Sequence, residues 1–149
     1  MDDLDIKILR ILQSDCSLTV SEIGKKVGLS SSPCWKRINK LIKDKIIIKQ
    51  AAILNQKKLG YNLVAFVSIK TANHSEEWLK NFSKKISLMQ EVIEFYRMAG
   101  DVDYMLKVIV KDIEQYDTFY KKIIETEGLK EVSSRFSMEV IKNDISIPI

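Results

Sequence analysis

The sequence predicts an α+β protein in two parts, a helical head over residues 1–60 and a sheet-and-helix domain over residues 61–149. Three observations carry that expectation. Apolar residues recur at three- and four-residue spacing three times before residue 45, each time behind a helix-start signal. Beyond residue 60, β-branched and aromatic runs alternate with two more amphipathic stretches. Positive charge gathers at the front: residues 1–60 hold twelve Lys or Arg against six Asp or Glu, and residues 61–149 hold twelve against fourteen.

The first helix runs through "DLDIKILRILQSD", where Leu4, Ile8, Ile11 and Leu12 share a face and Asp2 or Asp3 caps the start. The second is "TVSEIGKKVGL": Thr19 and Glu22 have capping-box spacing, Val20, Ile23 and Val27 form the apolar face, and Gly28 marks the end. The third follows in "LSSSPCWKRINKL", with Ser30 as N-cap and Pro33 in the first turn, where a missing N–H costs nothing. Three short helices with a tight glycine turn between the last two form a helix-turn-helix. "KIIIKQAAILN" then reads as a β-branched strand, a wing or a linker strand leaving the head, and the boundary falls between about residues 50 and 60.

The second part begins with a strand in "NLVAFVSIKT". A helix in "SEEWLKNFSKKI" turns Trp78, Leu79, Phe82 and Ile86 inward. "EVIEFYRMA" and "YMLKVIV" are strands joined by "GDVD". Asp112 and Gln115 cap a further helix that turns Ile113, Tyr116, Phe119, Tyr120, Ile123 and Ile124 inward, and "SSRFSMEVIK" closes as a strand. The order βαββαβ is that of a ferredoxin-like sandwich, with helices on one face of the sheet. Strands that are apolar at nearly every position from Leu63 to Val67 and from Met105 to Val110 require cover on the other face too, which a second subunit supplies.

On the third helix, Cys34, Ile38, Leu41 and Ile42 fall on one stripe and should face the other helices, which makes Cys34 a buried thiol rather than a redox group. The opposite stripe holds Ser31, Ser32, Lys36, Asn39, Lys40 and Lys43, with no acid anywhere from Ser30 to Lys43. Short hydroxyls, an amide and ammoniums suit a helix laid in a DNA groove, where Ser and Asn reach base edges or phosphates and Lys neutralises the backbone. A plain solvated face would also be Lys-rich, but would be expected to mix in Glu. Trp35 and Arg37 lie on the flanks. Trp35 either packs under the domain edge or offers its indole N–H to phosphate, and Arg37 pairs with a carboxylate of the head or with phosphate.

Composition narrows the chemistry. At 46% hydrophobic and 30% charged residues, with two prolines, the chain should be ordered nearly throughout. No apolar run approaches the roughly 20 residues that span a bilayer, and the start "MDDLDIKIL" is acidic rather than signal-like, so a cytoplasmic location is expected. Two cysteines, Cys16 and Cys34, and one histidine, His74, in a loop, provide neither a zinc set nor a Cys/His or Ser/His/Asp arrangement. No cofactor, metal or catalytic residue is expected.

At this point the chain resembles the Lrp/AsnC family of bacterial transcription factors, named for the leucine-responsive regulatory protein and the asparagine regulator. The matching stretches are "LDIKILRILQSD", "VSEIGKKVGLSSSPCWKRINKL", "LGYNLVAFVSI", "AGDVDYMLKVIVKDIEQYDTFY" and "GLKEVSSRFSMEVIK", which cover almost the whole chain. "SPCWKR", "SEEWLKNF", "FYRMAGDVDY" and the terminal "SIPI" are most similar to the branch associated with cysteine catabolism and detoxification. The resemblance implies a winged helix-turn-helix head binding double-stranded DNA, and a βαββαβ (RAM-type) domain that pairs through its sheets. It also implies homodimers assembling to octamers or other even oligomers, and a small amino-acid effector held at contacts between dimers. Carried onto this chain, the effector motif falls at Gly100, Asp101, Asp103 and Tyr104, facing Ser133 and Ser134. Val102 stands where the family often has an aromatic, and Ser134 and Arg135 stand where threonine and an aromatic are common. Effector identity is left open by these departures, with cysteine the first candidate by analogy.

The residues suit that role. A zwitterion needs acceptors for its ammonium and donors for its carboxylate, and two aspartates, glycine N–H groups and serine hydroxyls supply both. The plainer reading is that Gly100 and Asp101 only shape a hairpin turn. The alternative function is an amino-acid-binding module or small metabolic enzyme on the ferredoxin-like domain, against which stands the lack of a general-base cluster, cofactor loop or metal set.

Overall fold

The computed structural model describes residues 1–149, with α1 over Asp3–Ser14, α2 over Val20–Val27 and α3 over Ser31–Lys43, then β1 (Leu63–Thr71), α4 (Glu76–Ser87), β2 (Val92–Arg97), β3 (Tyr104–Val110), α5 (Ile113–Ile124) and β4 (Leu129–Phe136). The order after the head is the expected βαββαβ.

The helix ends follow from local chemistry. Asp2 caps α1 and forms a capping box with Asp5; Thr19 and Glu22 form another at α2. Gly28 ends α2 in the left-handed region, at φ +75°. α3 stops without a glycine: Lys45 adopts φ +56° while the Ile46 N–H returns to the Leu41 carbonyl at 2.9 Å. Ile8, Ile23, Cys34, Ile38 and Leu41 close the head's core. Ile42, expected inside, is 46% exposed, because the inward stripe is one residue narrower than its apolar spacing suggests.

One further expectation for the first part is corrected. Residues 46–54 form no strand, and Ile48 and Ile53 stand exposed. A β-branched run becomes a strand only beside a partner ladder, and no strand of the chain pairs with it. One compact unit comprises Met1–Ile53 together with Lys142–Ile149, the other Leu54–Ile141. The terminal segment belongs with the head because its backbone finds partners on α1. Gln13 exchanges two 3.0 Å hydrogen bonds with Ile147, and the Arg10 Nε–H donates to the Ile149 carbonyl at 2.6 Å.

In the second unit the sheet order is β2-β3-β1-β4, all neighbours antiparallel. Ala65, Val67 and Ile69 of β1 and Leu106, Val108 and Val110 of β3 alternate onto the face that α4 and α5 cover with Phe82, Ile86, Phe119 and Ile123. The predicted closing strand begins earlier, at Leu129, and ends at Phe136, so residues beyond it are not paired. Ile113 and Ile124, expected inward on α5, are 59% and 49% exposed because they sit at its two ends, beyond the sheet's cover. On the sheet's other face Phe66 and Tyr96 stand 41% and 50% exposed. No helix is long and apolar enough to cross a membrane.

Candidate nucleic-acid and effector sites

Helix α3 carries the first site. Pro33 is its third residue, in the turn whose N–H groups have no intrahelical partner. Cys34 points into the core with no exposure, and burial pushes its thiol pKa up, which keeps it protonated and unreactive. Ser31, Ser32, Lys36, Asn39, Lys40 and Lys43 are all exposed on the opposite side. Ser30 occupies the N-cap without spending its hydroxyl on a cap bond. Asn39 donates to the Trp35 carbonyl at 2.9 Å, which leaves its side-chain oxygen free.

The two flanking residues separate. Trp35 is 56% exposed, so it does not pack under the domain edge. Arg37, by contrast, is engaged: one guanidinium nitrogen lies 2.8 Å from Asp2 and 2.7 Å from Asp5. It joins α3 to the start of α1 and so sets the angle at which the basic stripe is presented. Gly24 does the same for the turn. A Cβ there would meet the Leu29 carbonyl at 2.7 Å and Cys34 at 3.6 Å, so only glycine lets α2 and α3 approach this closely. For Gly24 the available signal in the sequence was a glycine inside a helical pattern; for Arg37 a carboxylate of the head was one of the two expected partners, and Asp2 with Asp5 is the one it meets.

The expected effector residues are brought only partly together. Gly100 has φ +125° and Asp101 is exposed beside it. Asp103 is committed: its carboxylate accepts the Thr71 N–H at 2.8 Å, its N–H donates to the Ile69 carbonyl at 3.0 Å, and its carbonyl accepts the Met98 N–H at 2.8 Å. Tyr104 is buried among Trp78, Phe82 and Phe95 on the helix side. Ser133 and Ser134, opposite Ser68 and Val67 of β1, face opposite sides of the sheet by strand alternation. The Tyr116 hydroxyl donates to Ser134 on the α5 side, beside a cleft of about 420 Å³ that Tyr120, Val132 and Phe136 also line. Within one chain, the six residues therefore do not line a single pocket.

Helix-turn-helix head and four-stranded βαββαβ domain together define a class, that of small effector-responsive DNA-binding proteins, and comparison with known proteins identifies the family. An AsnC-type helix-turn-helix domain matches residues 1–42, and an Lrp/AsnC ligand binding domain matches residues 64–147. The chain belongs to the Lrp/AsnC family: it is a DNA-binding transcriptional regulator with an amino-acid effector domain, and not an enzyme. It is 44% identical to the Escherichia coli DNA-binding transcriptional activator DecR over 150 residues, covering 100% of this chain and 99% of that one. It is also 44% identical to the glutamate uptake regulatory protein of Zymomonas mobilis, covering 100% of this chain and 91% of the relative. The fold is similar to that of an AsnC family regulator from Agrobacterium tumefaciens, with TM-score 0.96, 53% identity and coverage of 99% and 97%. The regulator NMB0573 of Neisseria meningitidis, in complex with L-methionine, matches with TM-score 0.94 at 28% identity, over 99% of this chain and 96% of that one.

Proposed function

We propose that this regulator reads operator DNA as a homodimer through the outer stripe of α3, and that an amino acid bound at the 100–104 turn modulates binding. The observation that carries the first half is the exposed, acid-free face formed by Ser31, Ser32, Lys36, Asn39, Lys40 and Lys43. Lys36, Lys40 and Lys43 contact phosphates, Ser30, Ser31, Ser32 and Asn39 work at base edges and phosphates, and the exposed indole of Trp35 donates to phosphate. Arg37 acts through position rather than contact, since two carboxylates already hold it.

A second copy covers what one chain leaves open: the sheet face bearing Phe66 and Tyr96, and the apolar stretch through Ile48 and Ile53. Two-fold pairing sets two α3 helices about 34 Å apart, on an imperfect palindrome. Even oligomers of that dimer would bring turns and β4 strands of different chains together. That suits the exposed Asp101 and the split placement of Ser133 and Ser134. Cysteine is the first effector to test, on the strength of the branch resemblance, with glutamate and methionine next, after the relatives described above. Such a regulator works in the cytoplasm, with the DNA.

Two measurements test the reading. Sites selected by the full chain from random DNA should be palindromic, and Ser31→Ala or Ser32→Ala should change their ranking, whereas an unchanged ranking would show that these serines do not read bases. Of twenty amino acids screened by thermal shift, the effector at 100 times its dissociation constant should add roughly 2.7 kcal/mol of stability. That gain should vanish in Asp101→Asn; twenty flat responses would remove the amino-acid half of the proposal.

A further inference from the structure

A groove of about 320 Å³ opens between α4 and the edge strand β2, and nothing described above uses it. Leu79 and Ser83, one helical turn apart, line it from α4; Phe95 and Arg97, two apart on one strand face, line it from β2. Tyr104, the cross-strand partner of Arg97, completes it from β3.

Its three polar side chains have no partner in the chain. Arg97 makes no ion pair, although five of the other nine lysine and arginine side chains on this unit's strands and helices do so or bond a hydroxyl. The Ser83 hydroxyl makes no hydrogen bond. Tyr104 is only 3% exposed and its ring is packed among Trp78, Phe82 and Phe95, yet its hydroxyl bonds to nothing. No fully buried side-chain polar atom in the chain goes unpaired, so that hydroxyl keeps access to solvent, and Tyr104 is among the residues lining the groove. Tyr116, the other nearly buried tyrosine, spends its hydroxyl on Ser134. Arg97 is the only charged residue in the lining.

We propose that this groove binds a small monocarboxylate with a compact apolar tail and no ammonium group, the 2-oxo acids being the class that fits. The Arg97 fork takes the carboxylate, in the two-pronged geometry that guanidinium favours. Ser83 and Tyr104 donate to the remaining carboxylate and oxo oxygens, and Leu79 with Phe95 packs the tail. An amino acid of the same shape is excluded, because its ammonium would find a guanidinium and no carboxylate acceptor. The site is distinct from the exposed Asp101 turn, and it gives the motif tyrosine a ligand of different charge.

Calorimetry on the full chain tests this with 4-methyl-2-oxopentanoate, L-leucine and acetate as probes. The oxo acid should bind at least tenfold more tightly than acetate. Arg97→Gln should weaken it at least tenfold, and Tyr104→Phe, which keeps the ring, severalfold. Asp101→Asn should leave oxo-acid binding as it is. Any binding of L-leucine should be insensitive to Arg97→Gln. Three results would overturn the proposal: no binding of the oxo acid up to about 10 mM, affinity unchanged in Arg97→Gln, or acetate binding as well as the longer acid. None of these depends on DNA binding, so failure here and failure of the regulator reading are separable.

Discussion

Arg37 shows how a residue that could have met phosphate can instead brace its helix, since Asp2 and Asp5 hold its guanidinium. Both of its carboxylate partners titrate below the ordinary aspartate value of about 3.9. For Asp2 the Asp5 N–H and then the Arg37 guanidinium hold the charged form; for Asp5 burial pushes upward, and the Asp2 N–H with Arg37 overcomes it. Carboxylates with depressed values in the folded state contribute stability above the unfolded value and lose it as pH falls through the folded one. Arg37→Ala should therefore lower the melting temperature by a few degrees at pH 7, with the gap to the parent chain closing below about pH 4. Thermal melts across that range decide it, and a gap that persists in acid would remove the ion pairs as the cause. In the sequence Arg37 stood between carboxylate and phosphate because a helical wheel gives direction but not distance, and Asp2 lies 35 residues away.

At the scale of elements, the helix starts were legible because capping is local: Asp2, Thr19 and Asp112 each accept from an N–H three residues on. What was not legible depended on partners beyond a few residues. The run through Ile48 and Ile53 has strand composition but no ladder in one chain, and the terminal segment through Ile147 found its hydrogen bonds on α1, 134 residues back. Ser133 and Ser134 were read as a pair from the motif, although alternation along β4 must send them to opposite faces. Gly24 provides the test at this scale. Gly24→Ala gains helix propensity but drives a methyl against the Leu29 carbonyl, so a net loss of about 1–3 kcal/mol is expected in urea unfolding. An unchanged or raised midpoint would mean that the α2–α3 turn yields freely.

For the whole molecule, the charge asymmetry sets a basic head beside a domain whose sheet is covered on one face only, and the proposed dimer is tested on the open face. Phe66→Glu places a charge in the middle of the open sheet face. It should convert dimers to folded monomers by light scattering while leaving the melting transition cooperative; dimers that persist would move the interface elsewhere. The central claim, that the α3 stripe neutralises DNA phosphates, is tested most directly by measuring operator affinity against salt for the parent chain and for Lys36→Ala/Lys40→Ala. With on the order of eight phosphates neutralised, the slope of log affinity on log salt should be near −7, and shallower by about 2 to 4 in the double variant. A flat parent slope, or a slope that the two substitutions leave unchanged, would contradict the account.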